Sequence, residues 1–174
     1  MNKPRFLFLA GVILLAAASR LIPHPANFSP VAALALFSGA KLADSRQKYL
    51  VPLAAMFLSD LVLGLDSLVP VIYGSFALMV SLGSWLKGRQ SFWVINGAAV
   101  AGAALFFILT NFGVWAVGHL YPKTVSGLIE CFIAGIPFLQ NTLLSNLIYT
   151  NLLFGGLAFA ESRIVTLRES SLAG

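Results

Sequence analysis

SFWVINGAAVAGAALFFILTNFGVWAV, residues 91–117, contains no charged side chain. As a helix rising 1.5 Å per residue it reaches ~40 Å, more than the hydrocarbon thickness of a bilayer. Such a run reads as a membrane-spanning helix. The rest of the chain fits the same solvent. Of its 174 residues, 59% are apolar and only 10% are charged, with a mean hydropathy of +0.89. A soluble domain carries roughly 25% charged residues. This chain lacks the polar surface to cover a globule, so the expected fold class is an all-α, polytopic membrane bundle around one core. Residues 1–160 form the bundle, and 161–174 a short polar cytoplasmic tail.

Five more apolar runs give six spans in all. They cover about 6–22, 29–43, 49–65, 68–86, 91–117 and 137–160. The second and third are short for the roughly 20 residues a crossing needs, so they belong where the bilayer thins or where protein surrounds them. Pro30 opens the second in the favourable first-turn position. Thr124–Gly135 is apolar but too short to cross. It is expected as a separate, short external interfacial or re-entrant helix, with Thr124 as its N-cap.

The charges follow the positive-inside rule. Lys3, Arg5, Lys41, Arg46, Lys48, Lys87, Arg89, Arg163 and Arg168 fall on one side, nine of the 11 basic residues. Only Arg20 and Lys123 fall on the other. Both termini are therefore expected in the cytoplasm. The net charge of +5 lies in short connections, which argues against a nucleic-acid partner. The start also resembles a secretory signal, with Lys3 and Arg5, an apolar run and Ala16–Ala18. It is kept as a span here, because its removal leaves five spans and an unanchored Arg20. The single cysteine, Cys131, excludes an intrachain disulfide.

The polar residues collect on the external side. Residues 19–30 join the first two spans and hold Arg20, Pro23-His24-Pro25, Asn27 and Pro30. Prolines fix the backbone there, so the stretch is expected as the rim of a ligand pocket displaying Arg20, His24 and Asn27; the alternative is a plain turn. Asp60 lies near the external end of the third span and Asp66 in the turn after it. An ionisable group inside a span is a functional candidate with a partner to be named. Asp60 either binds a cationic or hydrogen-bond-donating ligand, or a proton, or forms a structural ion pair with Arg20 or Lys123. Gly64, one turn on, is expected to permit close approach. Asn111, Trp115, His119, Tyr121 and Lys123 run from the outer half of the fifth span into the next connection. On the sixth span Asn141, Ser145, Tyr149, Thr142 and Asn146 fall within roughly 140° of helical arc. Unpaired amides and hydroxyls are costly in hydrocarbon, so this arc should face inward, either as helix–helix glue or as the wall of a cavity. The small residues Gly97–Ala104 are expected to serve close packing. Two histidines, Asp60 and Cys131 match no metal-ligand spacing, so the metal question stays open. No phosphate-binding glycine loop, zinc-protease helix, nucleophile elbow or Cys-x-x-Cys is present. No cofactor is indicated.

Arg20 with Pro23-His24-Pro25-Ala26-Asn27-Phe28-Ser29-Pro30, Leu109-Thr110-Asn111-Phe112-Gly113-Val114-Trp115, Tyr121-Pro122-Lys123-Thr124 and Asn141-Thr142-Leu143-Leu144 resemble a family of small bacterial integral membrane proteins without an assigned reaction. The resemblance covers almost the whole chain and implies the inner membrane. More distantly, the layout is similar to the S components of energy-coupling factor (ECF) vitamin transporters. These have six helices, cytoplasmic termini and an outward ligand pocket. That likeness implies vitamin, corrinoid or metal-ion uptake, with a membrane coupling partner and ATPases. The first span lacks the Ala-x-x-x-Ala contact many S components carry, so the implied alternative is a solitary transporter. The leading expectation is a solute-uptake protein, not an enzyme. Its ligand would lie among Arg20, His24, Asn27, Asp60, Asn111, Trp115, His119, Tyr121, Lys123, Asn141, Ser145, Asn146 and Tyr149. A scaffold protein, or an intramembrane enzyme using His24, Asp60 or His119 as acid and base, are the alternatives.

Overall fold

The computed structural model describes residues 3–65 and 67–168. Among these residues six helices follow in order: Lys3–Ala18 (α1), Val31–Lys41 (α2), Gln47–Leu63 (α3), Val69–Trp85 (α4), Phe92–Val117 (α5) and Val125–Arg163 (α6). Short 3-10 turns at Ser19–Leu21 and Val165–Leu167 flank the first and last. No strand occurs among the described residues. Three of the described segments are long and apolar enough to cross a membrane: Lys3–Leu21, Phe92–Val117 and Val125–Arg163. Large apolar side chains, among them Leu15, Val62, Trp93 and Phe159, stand on the outer surface. Asp66 lies outside the described residues.

The shortest helix is the centre. All of Val31–Ala40 is buried, and α2 touches the other five helices. Protein surrounds it on every side. Its sequence VAALALFSGAK suits the position, with small residues on every side. The tightest crossing is with α4, where two glycines lie face to face with carbonyls. A Cβ on Gly39 would overlap the Val80 oxygen, and one on Gly83 would overlap the Leu36 oxygen. Without side chains the two backbones meet directly, the closest approach helices make in lipid or core. Pro52 has no N–H and so leaves the Lys48 carbonyl of α3 without its helical donor; Ser38 of α2 donates to it at 2.6 Å.

α1 buries Leu9, Ile13 and Ala17 in the main cluster with Phe37, Phe154 and Leu157. Arg5, 2% exposed, pairs with Glu161 at 2.6 Å and also donates to the Leu167 carbonyl. Residues Glu161–Leu167, expected within a free tail, are thus held against α1; residues 169–174 lie outside the described ones. Lys41 donates to Gln90, bringing two basic connections together. The basic connections therefore gather at the end of the bundle where Arg5 meets Glu161.

Two expectations are corrected. Thr124 does cap a helix, accepting from Gly127 N at 3.2 Å, but no separate short helix follows. α6 runs unbroken through Pro137 for 39 residues, ~58 Å. Pro137 removes one backbone bond, and packing on both sides of it holds the helix together: Cys131 and Gly135 rest on α5 before it, and Thr142, Ser145 and Asn146 are buried after it. Gly64 does not serve close approach. Its φ of +101° ends α3, and a Cβ there would meet nothing within 4 Å; a left-handed turn is what needs glycine at this position.

Gly83→Ala is expected to lower stability by ~1–3 kcal/mol through overpacking, while Gly11→Ala, in open space, stays within ~0.5 kcal/mol. Thermal unfolding of the purified variants in one detergent checks this.

Candidate functional site

The ionisable pair expected at Asp60 is present, and its partner is Arg20. Arg20 leaves α1 through the 3-10 turn, and its Nη1 lies 2.8 Å from Asp60 Oδ1. The same nitrogen donates to Ser59 Oγ at 2.6 Å and reaches the Met56 carbonyl at 3.4 Å. Tyr73 of α4 donates its hydroxyl to Asp60 Oδ2 at 2.7 Å. Asp60 and Ser59 are buried, with Asp60 at 6%. Both carboxylate oxygens are engaged, which is how a charge is held inside a bundle: paired and hydrogen-bonded. Lys123, the other candidate partner, is elsewhere. It donates to the Trp115 and Gly118 carbonyls and closes the end of α5.

Two cavities adjoin this network. The larger, about 350 Å³, is bounded by α4, α5, α6 and the connection at Asn27. Its wall is mostly apolar (Leu68, Ile72, Phe106, Val114, Leu120, Phe138), with Thr110, Asn111, Tyr121 and Cys131 as polar points. The smaller, about 150 Å³, is lined by Arg20, Ser29, Val31, Ala32, Thr142 and Ser145 among others. Asn27, Ile72 and Phe106 belong to both walls, so the two cavities are neighbours. Phe106 is held by Phe76, ring centroids 5.3 Å apart.

Of the connection 22–30, Asn27 alone lines the larger cavity, and Ile22 to Asn27 are exposed. Asn141 donates to the Ala26 carbonyl at 2.9 Å, and Asn141 lies ~24 Å along α6 from Val125. Ser145 reaches the Asn27 carbonyl at 3.4 Å, and Tyr149 meets Phe28 edge-on. Asn27 adopts φ +60°, a left-handed conformation that asparagine tolerates better than most residues. Leu120 and Tyr121, from the connection between α5 and α6, line the larger cavity as well. There Trp115 Nε1 donates to the Pro122 carbonyl at 2.9 Å, and Gly127 leaves room for that carbonyl.

The structure therefore brings together Arg20, Asn27, Asn111, Tyr121 and Ser145 at the two cavities. Asn141 and Tyr149 hold the 22–30 connection. Asn146 is a helix–helix contact: its amide donates to Ala99 O at 2.7 Å across to α5. Asp60 stands behind Arg20 and lines neither cavity. His24, His119, Trp115 and Lys123 line neither; both histidines are exposed. The arc on α6 does face inward, with Thr142, Ser145 and Asn146 buried while Leu144 and Ile148 are exposed. Among the described residues, no three of His, Cys, Asp and Glu gather in a way that holds a metal.

These wall-forming residues sit inside a sequence that matches one family along residues 1–168. The chain belongs to DUF6580, a family of unknown function. No curated protein and no solved structure matches it.

In this DUF6580 protein, sequence reasoning missed Tyr73, Ser59 and Phe106. Tyr73 offered a faint signal, since a phenol 13 residues beyond a buried carboxylate, across one tight turn, returns at similar depth. Phe106 offered none, because an aromatic in an apolar helix reads as lipid-facing or core. Arg20→Met alone is expected to destabilise by ~3–5 kcal/mol, because it strands Asp60. Arg20→Met with Asp60→Asn should recover most of that loss, as read by a double-mutant cycle on unfolding.

Proposed function

We propose that this protein is a multi-pass membrane protein that binds a small molecule in the adjoining cavities and carries it inward. The observation that supports this most is the adjacency of the two spaces, which share Asn27, Ile72 and Phe106, one largely apolar and the other holding Arg20 in its wall. Cavities of a few hundred Å³ with apolar walls and a few convergent polar groups are what small-molecule sites look like. In this reading all six helices lie within the bilayer. The end with the basic connections faces the cytoplasm, and the cavity opens outward. α2 and α3 cross partly inside protein. Inward release in this reading requires movement of a helix beside the cavities. An S-component-like arrangement, with a coupling partner and ATPases supplying the energy, and a solitary transporter both fit this geometry.

A scaffold role has one observation in its favour. Asn141, Ser145 and Asn146, the most conspicuous polar residues of α6, bond to carbonyls of this same chain. The two readings separate on one experiment. Purified protein is heated with vitamins, corrinoids, amines and divalent metals, beside Ala134→Phe, which narrows the larger cavity from an exposed wall position. A ligand of the native state at 100 times its Kd adds about 2.7 kcal/mol of stability. The expected result is a compound that stabilises the wild type, loses at least tenfold in affinity with Ala134→Phe, and accumulates in proteoliposomes. Binding without accumulation would leave a receptor; no binding, with Ala134→Phe silent, favours the scaffold.

A further inference from the structure

The walls of the two cavities carry information about ligand charge. None of the residues lining the larger cavity is charged, and the smaller has one charged lining residue, Arg20. Its counter-charge is withdrawn from the space. Asp60 lies behind the guanidinium, one oxygen facing Arg20 and the other accepting from Tyr73. The contacts of Arg20 with Asp60, Ser59 and Met56 all run through Nη1. A guanidinium has five N–H donors in a planar fork, so donors remain for a group in the cavity. Val31 and Ala32, the first residues of α2, line the same wall, and that helix start has no side-chain cap. Arg20, the one charged residue in that wall, therefore favours negative charge in the smaller cavity, while the larger favours an apolar body. A cationic ligand would meet the guanidinium before it met Asp60.

We propose that the ligand is an amphipathic anion: one carboxylate or similar anionic group at Arg20, with a ring or chain in the larger cavity beside Phe106. This rests on the small-molecule reading above and narrows it to a chemical class. It also reverses the expectation of a cation held by Asp60.

The test uses three probes of one shape: 4-phenylbutyrate, 4-phenylbutylamine and 4-phenylbutanol. Thermal unfolding of the full chain is followed in nanodiscs of zwitterionic lipid. The expected result is an upward shift with phenylbutyrate at an apparent Kd at least tenfold tighter than for the amine or the alcohol. Arg20→Lys, which keeps the charge, should retain the order of preference. Arg20→Met with Asp60→Asn, which removes both charges, should bind all three alike. Equal binding of the three probes by the wild type, or preference for the amine, overturns the anion and leaves the cavity as a binding site. No shift from any probe, with or without anionic lipid, overturns the cavity as a site as well. Replacing the lipid with phosphatidylglycerol distinguishes two sources of anion. A response to phenylbutyrate that persists assigns the site to a soluble anion; a lipid-induced upward shift that abolishes the response assigns it to a lipid headgroup.

Discussion

The rest of the structure depends on two backbones touching. Gly39 of α2 lies against the Val80 carbonyl of α4, and Gly83 of α4 lies against the Leu36 carbonyl of α2. That crossing allows an 11-residue helix to be buried on every face. In lipid no hydrophobic force pushes helices together, because the tails are as apolar as leucine. Close van der Waals packing between small residues does much of that work. With α2 held at the centre, α1 and α3 to α6 arrange around it.

The second constraint is electrostatic. Removing a carboxylate and a guanidinium from water costs several kcal/mol per ion, and pairing returns this only when the remaining hydrogen-bonding positions are filled. Tyr73 fills the second oxygen of Asp60, whereas Ser59 and Met56 O engage only Nη1 of Arg20. The pair is therefore weak evidence for stability and better evidence for position. It fixes the last turn of α1 to α3 and α4, and it presents one face of the guanidinium to a cavity. The Arg5–Glu161 pair does a different job at the opposite end, where it ties the first helix to the last.

The polar arc of α6 unites the glue and cavity readings. Its residues divide by height. Asn141 and Ser145 hold the 22–30 connection, and Asn146, one position further, locks α6 to α5 at Ala99. The small residues opposite, Ala98, Ala99, Gly102 and Ala103, are buried and let the amide approach. One stripe of amides and hydroxyls thus shapes a space without filling it.

Much of this was legible in the order of residues. The positions of most helix ends, the inward face of α6 and the clustering of basic connections follow from local rules. These are apolar run length, 100° periodicity and the preference of charge for connections. Residue order also identified Asp60 as needing a partner and offered Arg20 as one of two. It left three matters open for a physical reason: each depends on which surfaces meet, and surfaces distant in the chain meet through packing. The tertiary structure carried α6 through Pro137, because α5 and the core support the helix on both sides of the lost bond. It bonded the 22–30 connection to α6, because Asn141 and Ser145 reach carbonyls there from far along the chain. It turned Arg20 toward the cavity and Asp60 away from it, because Tyr73 supplies the second hydrogen bond from a helix that sequence alone could not place beside them.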